Sequence, residues 1–314
     1  MTLAKRLLPA AALFLLCLFY SVRVPQATGH QSFLTVENLF AMSGQYAYLL
    51  LIGMGATMVI IAGGIDLSVG SVLALSGVSA AHLMVRSGWS VPAGIAAGIA
   101  VGAFSGFLVG VIVTKLKVPA FIASLGMLLV TRGVSLRVAQ GVTVDGTPDS
   151  FNLLANGRPL GLPMPLLLIL AVAGLVAFLL HYTKFGRYLY AIGSNVEAAR
   201  VSGVPVERVQ RGVYALGGAL AGLAGLVESA RLGSGNPTGG ESYELDIITA
   251  VVVGGASLAG GEGRVSGTLL GALLIAVLRN GSNLIGVDPF DQKIYIGLLI
   301  IGAVAFDQKL KRIK

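Results

Sequence analysis

Apolar segments of membrane-spanning length alternate with short polar stretches along most of the chain. The pattern predicts helices over residues 7–24, 43–62, 67–85, 91–114, 118–136, 163–182, 212–229, 246–259, 266–285 and 294–306. About 20 apolar residues in a helix cross the hydrocarbon core of a bilayer. The sequence therefore predicts an all-α polytopic membrane protein of about ten transmembrane helices, forming one domain over residues 1–314. The short or glycine-broken segments leave room for re-entrant elements.

The polar connections predict the orientation of these helices. Lys and Arg residues are concentrated in alternate connections, including the stretch 183–211, and near both ends of the chain. Because cytoplasmic loops carry an excess of Lys and Arg, both termini and 183–211 are expected inside, and the loop 137–162 outside. No small residues precede a cleavage point after the first apolar segment, which favours a retained span over a signal peptide.

The segment 91–114 carries a stripe of glycines at strict four-residue spacing. Residues four apart lie on the same side of a helix, so the stripe exposes bare backbone to a neighbouring helix. We expect close helix packing there rather than contact with lipid. The stripe consists of Gly94, Gly98, Gly102, Gly106 and Gly110.

The stretch 183–211 is the longest polar passage between apolar segments. Ser194 and Glu197 have the spacing of a capping box, which predicts a helix start at Ser194. Gly203 suits the left-handed position after a helix, and Pro205 suits the start of the next one. We expect a short helix with a small face at Ala198-Ala199 that docks on another protein. The alternative is a basic loop held near anionic lipid.

Two glycine-rich octapeptides share Gly, Gly, Leu and Gly at matching positions, namely 63–70 (GGIDLSVG) and 254–261 (GGASLAGG). Glycine-interrupted membrane segments expose backbone groups to a pathway. Asp66 is either an N-cap that accepts from Ser68 or Val69, or a gating acid. The pathway or gate candidates are Gly63, Gly64, Asp66, Ser68, Gly254, Gly255 and Ser257.

Composition supports the membrane assignment and excludes other classes. Hydrophobic residues make up 55% of the chain and charged residues 11%, against about 25% charged residues in soluble domains. The net charge of +8 is scattered between apolar segments, so a nucleic-acid partner is not expected. No histidine begins an H-E-x-x-H motif and no G-x-x-x-x-G-K-[ST] loop is present, which argues against a metal site, an intramembrane enzyme and ATP hydrolysis by this chain.

Three passages resemble a known family over nearly the whole chain. YAIGSNVEAARVSGV at 190–204, GGIDLSVGS at 63–71 and VVVGGASLAGGEG at 251–263 are similar to the permease subunits of bacterial ribose, arabinose, xylose and galactose importers. The N-terminus, LYAIGSN and LDIITAVVVGG resemble a permease of galactofuranose-type importers. The resemblance implies an ATP-binding-cassette importer permease in the bacterial inner membrane that translocates a monosaccharide and is not itself an enzyme.

The resemblance also implies partners and a coupling segment. The expected partners are a cytoplasmic ATPase that holds ATP and Mg, a second permease copy or paralogue, a periplasmic sugar-binding protein and membrane lipid. This chain itself is expected to carry no cofactor. The implied ATPase-coupling residues are Glu197, Ala198, Ala199, Arg200, Gly203, Val204 and Pro205. The alternative is a stand-alone ion-coupled transporter in which Asp66 is the coupling acid.

A sugar is neutral and rich in hydroxyl groups, so its path needs hydrogen-bonding side chains rather than a fixed charge. Asn280, Asn283, Ser124 and Thr131 are candidates, although hydrogen bonding between helices explains each equally well. Charged residues within apolar segments are either interfacial or paired in the interior. These are Arg132, Glu228 and Arg279.

Overall fold

The computed structural model describes residues 3–312, most of which are helical. The helices are α1 Leu3–Thr28, α2 Val36–Gln45, α3 Ala47–Ile61, α4 Val69–Val85, α5 Val91–Lys115, α6 Ala120–Ala139, α7 Asp149–Asn156, α8 Met164–Tyr182, α9 Lys184–Ser194, α10 Val196–Val201, α11 Val206–Leu232, α12 Tyr243–Val253, α13 Val265–Leu284 and α14 Pro289–Arg312. Two short strands, β1 Val144–Asp145 and β2 Ser234–Gly235, pair antiparallel. A 3-10 turn covers Pro159–Gly161.

Six helices in the described range are long and apolar enough to cross a membrane, namely α1, α5, α6, α8, α11 and α13. The pair α2 and α3, bent by 51°, makes a seventh if it is counted as one span. Helices α4 and α12 are apolar but shorter, with 17 and 11 residues. An all-α polytopic membrane protein is therefore confirmed, whereas the count of about ten stays a prediction.

Three details of the predicted helices need correction or lie outside the structure. The helix expected over 246–259 ends at Val253, because Gly255 follows with a φ of +91°. The stretch 183–211 is not mainly loop, since α9 and α10 occupy much of it. The predictions on Lys5, Arg6 and the basic C-terminal tail fall outside the side chains that the structure describes.

The connections gather at two opposite ends of the helices. At one end, here called the α9 end, the Gly261 N–H donates to the Ile61 carbonyl at 2.9 Å. At the other, called the α7 end, the Thr147 N–H donates to the Gly233 carbonyl at 3.3 Å. The α9 end holds residues 62–68, 116–119, 183–205 and 254–264, and the α7 end holds 29–35, 86–90 and 140–163.

Helices α3 and α11 form the centre of the bundle. Every residue of α3 is buried. The five stripe glycines of α5 are also buried, and α11 presents glycines of its own to them. A Cβ built on Gly102 would lie 2.9 Å from the Gly222 Cα, and one built on Gly106 would lie 3.1 Å from the Gly218 Cα. The two backbones touch because neither side of the contact carries a side chain.

Two non-helical segments penetrate the bundle from opposite ends. After α3, residues 62–68 lead from the α9 end to α4, whose Ser71 hydroxyl lies 2.6 Å from that of Thr131. Thr131 is 11 residues into α6, or about 16 Å along it. After α11, residues 233–242 lead inward from the α7 end to α12. The segment 233–242 meets the first turn of α4 where the backbones of Gly70 and Gly240 touch.

This geometry changes the interpretation of the two glycine octapeptides. Residues 62–68, which include most of the octapeptide 63–70, interrupt the path from α3 to α4, as expected. Residues 254–261 instead follow α12 at the α9 end, and the counterpart of 62–68 is the segment 233–242. The octapeptides therefore do not occupy corresponding places in two halves, although they contact each other where a Cβ on Gly260 would lie 3.0 Å from the Gly63 Cα.

Candidate functional site

Helix α9 folds back from the end of the spanning helix α8. The Thr183 side chain caps α9 by accepting from the Gly186 N–H at 3.2 Å. Gly186 is needed because a Cβ there would overlap the carbonyls of Leu179 and Leu180. Leu189 and Ile192 are buried beneath α9, and its polar side faces outward. The helix therefore lies as an amphipathic platform across the α9 end.

Helix α10 follows at once and has sharply defined ends. Asn195, rather than Ser194, is its N-cap, since the Asn195 Oδ1 accepts from the Ala198 N–H at 2.9 Å. The predicted capping box at Ser194 is wrong because Ser194 still belongs to α9. Gly203 has a φ of +82°, as predicted for the residue after the helix.

The C-terminal end of α10 is a Schellman motif. The Gly203 N–H donates to the Arg200 carbonyl and the Val204 N–H to the Ala199 carbonyl, each at 3.0 Å. Pro205 directly precedes α11, so only residues 202–205 connect α10 to this spanning helix.

The outward surface of α10 differs in one respect from the expectation. Ala198 is exposed, but Ala199 is 5% exposed and packs on the core, so Ala199 is not part of an outward small face. Val201 is 89% exposed, which sequence reasoning missed. Arg200 bridges Glu197 at 2.9 Å and Glu207 at 3.4 Å. An exposed apolar knob ringed by charged groups suits docking of a folded partner.

Three separate chain segments converge at the C-terminal end of α9. A Cβ on Gly193, near the end of α9, would overlap the Ile61 carbonyl of α3 and lie 2.5 Å from the Gly261 nitrogen. Gly260 packs against Gly63 in the same place. The structure therefore brings the end of α9, which precedes the predicted coupling residues, into contact with both glycine octapeptides.

Asp66 lies in the interruption between α3 and α4 and is 7% exposed. Its Oδ1 accepts from the Ser68 N–H at 2.8 Å and from the Ser68 hydroxyl at 2.6 Å. The predicted hydrogen bond from the Ser68 N–H is present, but α4 begins at Val69 with Ser68 rather than Asp66 as its N-cap. The hydroxyl of Tyr214 is buried in the described structure without a hydrogen-bond partner and lies against Gly64.

The remaining glycine-motif candidates shape the loop after α12. Gly254 lies on the backbone of Gly267, where no side chain fits. The Ser257 N–H donates to the Glu262 carbonyl at 3.0 Å, and the Ser257 hydroxyl accepts from the Ala259 N–H at 3.3 Å. The loop is thereby folded tightly on itself at the α9 end.

The polar candidates on the helices do not gather into one site. The side-chain amides of Asn280 and Asn38 pair reciprocally at 2.9 Å. Asn283 accepts from Gln292 at 2.8 Å. Ser124 donates to the Ile65 carbonyl at 3.3 Å. Each of these side chains links two segments of the bundle, and their part in a pathway stays a prediction.

The inward segment 233–242 is a polar feature that sequence reasoning missed. Arg132 of α6 donates to the carbonyls of Pro237 and Gly239 at 2.6 and 2.9 Å. Thr238 and Glu241 are exposed on this segment. The sequence feature that could have revealed this segment is the run GSGNPTGGE, which contains too many turn-forming residues for a helix. Non-helical backbone at membrane depth is tolerated where it lies inside protein or lines a water-filled cavity.

Two further ionic groups are held inside the bundle near α12. Arg279 bridges Asp246 at 2.7 Å, and the Tyr48 hydroxyl donates to the same carboxylate at 3.4 Å. Tyr48 stacks on Tyr243 with ring centroids 3.7 Å apart. Arg279 is therefore paired in the interior, one of the two possibilities left open by its sequence position. The network ties α3, α12 and α13 together.

Interrupted helices that enter a bundle from opposite ends are the architecture of a membrane transporter. Residues 38–304 match the family described as "Branched-chain amino acid transport system / permease component", and the chain belongs to this family of transport permeases. This agrees with the expectation of a permease that is not an enzyme.

Several characterised proteins are similar over most of their length. The ribose import permease protein of Escherichia coli strain K12 is 46% identical over 88% of both chains. That of Bacillus subtilis strain 168 is 43% identical over 97% of this chain and 93% of the relative. The D-allose transport system permease protein of Escherichia coli strain K12 is 36% identical over 89% of this chain and 86% of the relative. No solved structure matches the chain.

Proposed function

We infer that this chain is the membrane-spanning permease subunit of an ATP-binding-cassette importer for a monosaccharide. Family membership carries the inference, and the names of the similar proteins, which include ribose, D-allose and L-arabinose permeases, supply the substrate class. It is a multi-pass protein of the inner membrane. The same family is the reason to prefer this function to a stand-alone ion-coupled transporter.

The α9–α10 unit is the proposed docking site of the ATPase. A partner that binds the exposed Val201 side chain and the charged side chains around it can move α10. That motion passes through Pro205 to α11 and through Gly193 to the ends of α3 and of the loop after α12. ATP and Mg would be held by the ATPase, which drives the cycle from outside this chain.

The orientation proposed here puts the α9 end in the cytoplasm. Its connections hold the larger share of the basic side chains, as cytoplasmic loops do. If α2–α3, α4, the segment 234–253 and α14 each count as one crossing, they add four to the six candidate spans and give ten. Both termini would then be cytoplasmic, and a periplasmic sugar-binding protein would dock at the α7 end.

The segment 236–242 is the proposed lining of the sugar path. Thr238, Glu241 and Arg132 supply the donors and acceptors that hydroxyl groups require. Large apolar side chains of α6, including Leu129 and Val130, are exposed beside them. A second permease copy or paralogue packed on α6 would cover these apolar groups and enclose the polar strip between two subunits.

The decisive experiment replaces the exposed Ala198 by Trp, with Ala199 left intact. Tryptophan at this position obstructs the outward surface of α10 without disturbing the core below it. We expect co-purification of the ATPase to fall at least about tenfold, as for loss of a well-packed interface contact, and sugar uptake to fall with it. Leu175→Trp, at an exposed position on α8 outside the α9–α10 unit, is the control. A well-expressed Ala198→Trp protein with normal ATPase binding and uptake would refute the coupling assignment.

A further inference from the structure

A cavity of about 830 Å³ opens between α8, α9, the loop after α12 and the first turns of α13. Its wall within the bundle is apolar and contains Ala173, Gly174 and Leu269. Its mouth at the α9 end is polar. The polar lining residues are His181, Tyr190, Glu262, Arg264 and Ser266.

A second cavity, of about 240 Å³, continues the first along the same two helices. It shares Ala173 and Leu269 with the first cavity and reaches Ala276 of α13 and Leu166 of α8. Its lining is almost entirely apolar. From Arg264 to Ala276 the groove follows 12 residues of α13, about 18 Å at 1.5 Å per residue. That length fits an acyl chain within one leaflet of a hydrocarbon core about 30 Å thick.

The charges at the mouth fit an anion. Arg264 forms no ion pair within the described part of the chain. Burial raises the pKa of the neighbouring Tyr190, and the positive charge of Arg264 acts in the opposite direction by lowering that pKa. The Tyr190 hydroxyl is already engaged with the Gly263 carbonyl at 2.9 Å. The His181 Nδ1–H donates to the Ala177 carbonyl at 2.9 Å, which leaves Nε2 for another partner. Glu262 is the one acidic residue of the lining, and it is exposed.

The outer side of α8 faces the surroundings with large apolar groups. Leu170, Leu175 and Phe178 are each more than half exposed. In a spanning helix such a surface meets lipid, so a lipid molecule can enter the groove sideways from the bilayer. Basic pockets between transmembrane helices at a membrane surface are a recurrent setting for anionic lipid head groups.

We propose that the groove between α8 and α13 binds one anionic phospholipid, with its phosphate at Arg264 and His181 and an acyl chain between the helices. A lipid held there would contact α8, α9 and the loop after α12 together. It would thereby stabilise the platform on which α10 stands. The binding itself does not depend on the transported sugar or on ATPase docking.

The test is native mass spectrometry of the purified chain in a neutral detergent with added phosphatidylglycerol or phosphatidylcholine of identical acyl chains. We expect one phosphatidylglycerol to be retained with about a tenfold preference, the size of one charge-assisted hydrogen bond. Equal retention of the two lipids would overturn the proposal. An excess of glycerol 3-phosphate should leave the lipid bound, and displacement by it would mean that the site takes a soluble phosphate instead.

Two variants separate the head-group site from the groove. Arg264→Gln adds no volume and should abolish the preference for phosphatidylglycerol, whereas Arg208→Gln at the same end should keep it. Gly174→Leu should remove both lipids, because a Cβ at Gly174 meets nothing within 4 Å and its side chain would occupy the groove. Gly126→Leu, at another helical glycine with open space, is the matched control for folding. Unchanged lipid retention in Gly174→Leu, or unchanged preference in Arg264→Gln, would overturn the proposal.

Discussion

The substitution Gly102→Ala adds one methyl group to the contact between α5 and α11 at the centre of the bundle and so tests that contact. A Cβ there would lie 2.9 Å from the Gly222 Cα and 3.0 Å from the Gly222 nitrogen, and still closer to the Gly218 carbonyl. All three obstacles are backbone atoms, so no side-chain rotation relieves the overlap. The helices must separate along the whole seam between α5 and α11.

The expected magnitude follows from two opposing effects. Replacing a helical glycine by alanine gains about 1 kcal/mol of helix propensity. Overpacking a tight interface costs about 1–3 kcal/mol, and rigid backbone obstacles place Gly102→Ala at the upper end. The net prediction is a loss of about 2 kcal/mol. Gly126→Ala, where a Cβ meets nothing within 4 Å, should instead gain up to about 1 kcal/mol.

The assay is a denaturant titration of the two purified variants and the wild type in the same detergent, in which the midpoint of unfolding is measured. We expect the midpoints to fall in the order Gly126→Ala, wild type, Gly102→Ala. A Gly102→Ala protein as stable as the wild type would show that the two backbones are not in contact. Equal shifts in both variants would point to helix propensity alone.

The other predictions concern topology, a backbone turn and a buried acid. Single cysteines at Thr147 and Asn195, in a Cys17→Ser background, should label with an impermeant reagent from opposite sides, and labelling of both from the periplasm would contradict the proposed orientation. Gly203→Val should lower ATPase binding and uptake more than Gly203→Asn does. The reason is that the φ of +82° disfavours a β-branched residue by about 1–2 kcal/mol. Equal effects of the two substitutions would show that the backbone turn at Gly203 is not needed for coupling. Asp66→Asn should keep ATP-dependent uptake in vesicles, since the amide oxygen still caps at Ser68, and abolished uptake would favour the ion-coupled alternative.

The sequence determined the class of protein and the identity of its most rigid contact. A helix satisfies all backbone N–H and C=O groups of an apolar segment of bilayer length by hydrogen bonds within that segment. The all-α membrane fold therefore followed from hydropathy alone. The four-residue spacing of the α5 glycines fixed which side of that helix is bare. Gly203 and Pro205 likewise fixed the end of α10, because each residue has a narrow range of backbone angles.

Tertiary structure decided everything that depends on which segments meet. Asn195 rather than Ser194 caps α10 because α9, held down by Leu189 and Ile192, continues through Ser194. The burial of Ala199 follows from contacts with the core that no local pattern encodes.

The interruption at 233–242 shows the same division between local and long-range information. Its turn formers were visible in the sequence, but its position inside the bundle depends on Arg132, more than 100 residues away, which binds its carbonyl groups. The groove beside α8 also arises only when two distant helices leave a gap. Local composition specifies backbone angles and membrane affinity, whereas cavities and charge pairs are set by the packing of segments far apart in the chain.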